Sequence, residues 1–265
     1  MQWQRDIEII TPLFNRGAYQ DTPEIRVPSI RGMVRWWFRA LGGSADDEKE
    51  VFGGMKRFGR RFAHEVRASK LVFRVTHLEA RIAPDPGIPI LPHKQGGQAS
   101  PQAAFQPGAR FHLEVFSRLD PLPPQLQRKV ENALEAWLLL GALGMRANRG
   151  GGNVWPADNT APNTPAELRQ RLVEHGCNWQ VMIAGQEVGH TVEELRKAAT
   201  DTRNGMPLIF GEAFPNRRTS KVKFKIVRFG EKLRLLIAAP DTESLRQAKE
   251  ALKGKLSKPE TWQPI

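Results

Sequence analysis

Two runs of strict alternation limit what this chain can fold into. Residues 70–82 place Leu71, Phe73 and Val75 on one face, change parity at Thr76-His77, and continue with Leu78, Ala80 and Ile82. Residues 110–116 return with Phe111, Leu113 and Val115. A period of two marks half-buried strands, and the change of parity marks a bulge. A third alternating run, 5–11, carries Ile7 and Ile9 and ends at Pro12. Over 124–143 the period becomes helical, with Leu126, Val130, Leu134, Trp137, Leu138 and Leu140 on one stripe. Another helix reads from a Ser29 N-cap to about Leu41, stopped by Gly42-Gly43, because serine caps and glycine terminates. Asn153-Val154-Trp155 follows as a strand. The order strand, helix, strand, strand, helix, strand predicts an α+β, ferredoxin-like (RRM-like) βαββαβ unit.

The second half repeats this pattern less clearly. Residues 164–175, with Pro165 in the first turn, and 192–200 read as helices, and 179–183 as a strand. Residues 207–210 read as a short apolar strand or turn. A hairpin joins 220–229 to 232–239 around Gly230-Glu231, and a closing helix spans 242–255 behind an Asp241 cap. This predicts two domains, 1–158 ferredoxin-like and 159–265 a degenerate copy. Segment 84–107, rich in Pro, Gly and Gln, is long enough to be functional or disordered.

Charge narrows the function. Forty Lys and Arg against 28 Asp and Glu give +12. That field attracts polyanions, nucleic acid first among them, although a merely solvated basic surface has the same sum. Cys177 is the only cysteine, which excludes an internal disulfide or CxxC site. The longest nearly apolar run, 136–145, falls short of the ~20 residues a membrane span needs. No apolar signal region opens the chain, so the expectation is a cytoplasmic protein with no membrane partner. Six scattered histidines lack HxxxH or HExxH spacing, so neither a metal nor a cofactor is expected.

Three basic stretches stand out. From Ser29 onward, Arg31, Arg35 and Arg39 fall at i, i+4 spacing and form one stripe. Ile30, Val34, Trp37, Phe38 and Leu41 turn the other way, to the core. The helix start offers free N–H groups to a phosphate, and Gly32 weakens the helix but lets a backbone approach closely. A solvated arginine face fits the same spacing. The second stretch, 141–153, sets Arg146, Asn148 and Arg149 beside Gly150, Gly151 and Gly152. It lacks the Lys-Ser/Thr of a P-loop and runs helix, loop, strand, which argues against nucleotide triphosphates. Backbone N–H groups and guanidinium forks there suit a sugar-phosphate chain; a flexible connection has the same composition. The third, 217–225, puts Lys221, Lys223 and Lys225 on one strand face, either to track phosphates or to keep an edge soluble. The basic cluster 56–61 adds to the positive field.

Metal-free RNA cleavage needs a base and an acid beside the scissile phosphate. His64, His77, His93, His112 and Tyr19 are the candidates, with His93 in the long loop foremost. A metal-independent endoribonuclease is therefore the alternative to a non-catalytic binder.

Three segments carry a family resemblance: Ile10-Thr-Pro-Leu-Phe, residues 26–41 with Pro-Ser-Ile-Arg-Gly and Arg-Trp-Trp-Phe-Arg-Ala-Leu, and Glu50-Val-Phe-Gly-Gly. Together they resemble the first subunit of type III-B CRISPR (Cmr) effector complexes, within the RAMP superfamily. Residues 144–152 resemble that superfamily's glycine-rich loop. The resemblance implies a non-catalytic subunit that contacts the backbone of the guide RNA 3′ region or its target RNA duplex. It implies other RAMP subunits as partners, with sequence read by base pairing. Arg26, Ser29, Arg31, Arg35 and Arg39 would contact RNA from one segment, and Arg146, Asn148, Arg149 and Gly150, Gly151 and Gly152 from the other. Gly151 departs from the family loop, which often carries an aromatic or apolar residue there, and this speaks against base stacking by the loop.

Overall fold

A computed structural model describes residues 1–58, 63–118, 121–184, 190–202, 206–212, 218–256 and 262–265. The first half runs β1 (Gln2–Ile9), α1 (Val27–Ala40), α2 (Ala45–Phe52), β2 (Gly54–Phe58), β3 (Ala63–Arg67), β4 (Leu71–Glu79), β5 (Ile88–Pro89), β6 (Pro101–Gln102), β7 (Arg110–Ser117), α3 (Pro124–Leu140) and β8 (Val154–Pro156). The second runs α4 (Pro165–Glu174), β9 (Gln180–Ala184), α5 (Val192–Asp201), α6 (Pro207–Phe210), β10 (Lys223–Phe229), β11 (Lys232–Ala239), α7 (Thr242–Leu252) and β12 (Trp262–Pro264).

The first sheet has the order β4-β7-β1-β8, all antiparallel. Taken with α1 and α3 this is the expected ferredoxin-like arrangement. The alternation holds up to the parity change: Ile7, Phe73, Phe111, Leu113 and Val115 are buried together against α1 and α3, and the register of β4 on β7 shifts between Thr76 and Glu79, after which Leu78, Ala80 and Ile82 are exposed because β4 runs off the covered part of the sheet. Polar residues of the same strands, among them Gln2, Gln4 and Arg74, face outward. The second sheet, β10-β11-β9-β12, repeats the same order around α5 and α7, with β12 cut to three residues.

The two sheets are not independent. One face of the second sheet lies on α1 and α3, where Trp179 meets Trp36 and Trp37 at 5.7 and 4.8 Å between ring centroids. Its other face carries α5 and α7. One continuous apolar core runs from Trp3 to Leu256. The sheets also touch at their edges. Arg149 pairs with Phe224 in a parallel bridge, Ile226 N–H donates to Asn153 Oδ1 (2.8 Å), and Trp155 packs on Phe229.

Some local expectations change. α1 begins at Val27 with Arg26 as N-cap, not at a Ser29 cap. Pro28 in the first turn explains this, since proline's missing N–H and fixed φ suit that position. Residues 207–210 form one helical turn, and the 124–143 helix stops at Leu140, where Gly141 leaves helical geometry. α2 starts at a reciprocal capping box between Ser44 and Asp47. Segment 84–107 is ordered around β5 and β6, with Phe14, Ile90 and Ala104 as a small core of its own.

Candidate nucleic-acid interface

α1 sorts its arginines onto a neighbour. Glu48 of α2 accepts Arg35 Nε (2.8 Å), Arg35 Nη2 (2.7 Å) and Arg39 Nη1 (2.7 Å), all on Oε1. Arg31 Nη2 donates to the Phe52 carbonyl. The repulsion that the i, i+4 spacing implied is thus offset by a buried carboxylate that no periodicity linked to it. Burial alone would raise the Glu48 carboxyl; hydrogen bonds and charge from Arg39 and Arg35 outweigh it and hold the group below the usual carboxylate range. Burial, with the nearby Arg35 charge, pushes the Arg31 guanidinium down. The Arg35 and Arg39 side chains remain 38% and 49% exposed. Each guanidinium has five N–H donors, so both keep donors for an outside anion.

The N-terminal end of α1 faces a different neighbourhood. Ser29 Oγ donates to Asn15 Oδ1 (3.2 Å), and Arg26 Nη1 to the Arg16 carbonyl (3.2 Å). Arg16 Nη2 lies 3.8 Å from Met145 Sδ, which joins this end to the glycine-rich loop. The free N–H groups expected at the helix start are few. Pro28 has none, and Ser29 and Ile30 already donate to Arg26 O.

The glycine-rich loop is largely interior, against expectation. Gly150, Gly151 and Gly152 are buried, and their N–H groups donate to Phe224 O, Arg146 O and Pro12 O at 2.9–3.1 Å. They are therefore not available to cradle a phosphate. Gly152 has φ +59°, and a Cβ there would come within 1.9 Å of Leu143 O, so close chain crossing accounts for the glycine. Arg149 is 9% exposed; it donates to Phe210 O (3.0 Å) and lies over the Phe210 and Phe224 rings. It fastens the two halves instead of facing solvent. Asn148 accepts Lys223 Nζ (2.7 Å), which sits 3.9 Å over the Trp36 ring. Arg146, in left-handed conformation at φ +60°, is half-buried.

Both sequence readings of the lysine strand also fail at Lys223 and Lys225, although Lys221, ahead of β10, is exposed. Lys223 and Lys225 are 3% and 1% exposed. Lys225 Nζ donates to Leu138 O and Gly141 O (2.7 and 2.8 Å), the carbonyls left open at the C-terminal end of α3. Burial pushes Lys223 down to about 8 and Lys225 well below the usual lysine range.

Among the catalytic candidates, His112 Nδ1 lies 2.7 Å from Asp6 Oδ1 on the open sheet face, and His77 stands 6.2 Å from it with φ +50°. Both are partly exposed, not buried. Tyr19 is 70% exposed. The side chains of residues 56–61 and of His64, and residue Arg217, lie outside the described residues. Among the described residues no group of three or more His, Cys, Asp or Glu could hold a metal, and no helix is long and apolar enough to cross a membrane. The sequence reading missed Glu48, Asn15, Arg16 and Trp36, whose partners are set only by tertiary contact.

Two ferredoxin-like sheets sharing one core, with an arginine-bearing first helix, define the class of protein. The sequence pattern of the RAMP superfamily matches residues 6–155, and the chain belongs to that superfamily. Among curated relatives, the Cmr subunit Cmr1-2 of Pyrococcus furiosus is 41% identical over 66 residues, 22% of this chain and 35% of that protein. The Cmr subunit Cmr1-1 of the same organism is 32% identical over 146 residues, 51% of this chain and 41% of that protein. The matched stretches thus span less than half the length of either relative. The crystal structure of Cmr1 from Pyrococcus furiosus superposes with TM-score 0.57 at 19% identity, covering 90% of this chain and 87% of that one. A chain from the cryo-EM structure of the type III-B Cmr-beta complex bound to cognate target RNA gives TM-score 0.55 at 12% identity, covering 95% and 98%. These two likenesses establish the fold.

Proposed function

We propose that the chain is a non-catalytic RNA-binding subunit of a type III-B CRISPR (Cmr) ribonucleoprotein. In this reading it contacts the backbone of the guide RNA 3′ region or its target duplex, beside other RAMP subunits. The observation that carries it is the α1 arginine row, anchored from behind by Glu48 with outward donors to spare. The relatives' identity as Cmr subunits supports the assembly. The two units are proposed to meet near residues 158–159. The outward donors of Arg35 and Arg39 favour a contact surface at Arg26, Arg35, Arg39 and the loop before α1, and the burial of Arg149 and the three glycines speaks against a contact there.

The test is equilibrium binding to single-stranded RNA across a salt series. Affinity should fall with a log–log slope of about −0.7 per neutralised phosphate. Charge reversal of Arg35 and Arg39 should weaken binding about ten-fold or more and flatten that slope. Affinity independent of salt would refute RNA binding through this row. Chelator-resistant cleavage of the RNA would refute the non-catalytic reading and turn attention to the His112–Asp6 pair.

A further inference from the structure

A cavity of about 470 Å³ lies between the loop leading into α1 and the Pro-rich segment joining β4 to β7. Arg16 and Asp21 line it from one side, and Asp85, Pro86, Pro101 and Gln102 from the other. That volume falls in the range of small-ligand sites. Both walls are built. Asn15 and Glu24 close the first loop through Asn15 Nδ2 to Glu24 O (2.9 Å) and Glu24 N to Asn15 O (2.8 Å). Arg16 Nη1 braces it on Gln20 O (2.9 Å). The second wall is the β5–β6 hairpin, pinned from α5 by Arg196 Nη2 on Pro89 O (2.9 Å).

The lining is rich in acceptors. It holds the carboxylates of Asp85 and of Asp21, the latter also accepting Thr22 Oγ1 at 3.2 Å. Among the described residues Arg16 is the one guanidinium on the wall, and part of it is committed to Gln20 O. A phosphate would be repelled by Asp21 and Asp85. A planar ring with an edge of N–H donors would satisfy them, and Pro86 and Pro101 offer apolar faces to such a ring. Of the four RNA bases, guanine has the edge that can give a carboxylate two parallel N–H bonds, from N1–H and the N2 amino group. Arg16 ties the cavity to α1, since its carbonyl accepts Arg26 Nη1 at 3.2 Å.

We propose that this cavity is a base-reading subsite that takes one unpaired guanine of the RNA lying along α1, held by the carboxylates of Asp21 and Asp85. The proposal rests on the RNA-binding reading above. It adds direct sequence preference at one position to contacts that otherwise track the backbone. Unpaired bases splayed from a strand and read on their Watson–Crick edge are the usual route to sequence-specific RNA recognition.

The full chain is titrated, with chelator present, against short oligouridylates carrying a single central guanosine, inosine or adenosine. Guanosine should bind about ten-fold tighter than adenosine, as expected for one bidentate pair. Inosine, which lacks the N2 amino group, should fall between them. The Asp21→Asn, Asp85→Asn double variant should lose the preference while binding the all-uridine strand as the wild type does. The wild-type guanosine–inosine difference tests the idea even if that variant does not fold. Equal affinity for all three centres would overturn the guanine subsite and leave the α1 reading standing. Absence of binding to every strand would overturn both.

Discussion

Replacing Gly32 by alanine should make the protein more stable and a weaker RNA binder. Gly32 sits inside α1, is exposed, and a Cβ built on it meets nothing within 4 Å. Alanine therefore gains the full helix-propensity difference, about 1 kcal/mol. For a chain of this size that raises Tm by about 2–4 °C. On the helix surface Gly32 neighbours Ser29, Arg35 and Trp36 at i±3 and i+4. A phosphodiester resting there beside Arg35 would be pushed outward by the new methyl group. Losing one charge-assisted hydrogen bond costs about 1.5–3 kcal/mol, roughly ten- to hundred-fold in affinity. Thermal unfolding and RNA titration on the same sample read both effects. Their opposite signs separate a contact from a folding defect. A raised Tm with unchanged affinity would refute the crest of α1 as the seat of the RNA. A lowered Tm would refute the account of the open helix face.

Two further outcomes test the packing. Burial holds Lys223 at about 8 against an ordinary 10.5, so between these values the unfolded chain binds a proton that the folded chain lacks, and stability rises with pH across that window. The stability advantage of Lys223→Met over wild type should then be larger at pH 7 than at pH 10 in urea titrations; a gap that does not change with pH would contradict this. Glu135, 1% exposed, accepts Trp3 Nε1 (2.9 Å), Arg5 (2.6 Å) and Arg171 (2.5 Å). Glu135→Leu should cost about 3 kcal/mol by leaving those donors without their acceptor, and a loss under about 1 kcal/mol would mean that solvent replaces the carboxylate.

Much of the fold was legible because its signals are local. The first part of the 70–82 run, the 110–116 run and the stripe on 124–143 place their residues inward as read, and the bulge falls where parity changes; past the bulge Leu78, Ala80 and Ile82 are exposed. The fates of the charged groups were not legible. Arg31, Arg35 and Arg39 share a face by spacing alone, but the choice of Glu48 as acceptor for Arg35 and Arg39, and of the Phe52 carbonyl for Arg31, depends on how α2 docks on α1. Gly150, Gly151 and Gly152 looked like an open phosphate cradle and are instead a crossing point whose N–H groups are used internally. Lys223 and Lys225 alternate like a solvent face, yet the second sheet lays that face on α1 and α3.

The sequence by itself determined the element order, the inward faces of strands and helices, and the excess of positive charge, since each follows from the chain's own period or sum. Only the tertiary structure decided which cations stay outward for a polyanion and which become internal fasteners. A charge is stabilised by whatever acceptor folding brings to it. For Arg35 that acceptor is 13 residues away, and for Lys225 it is 87. No local pattern encodes such separations, because they are set by the stacking of one sheet on the helices of the other.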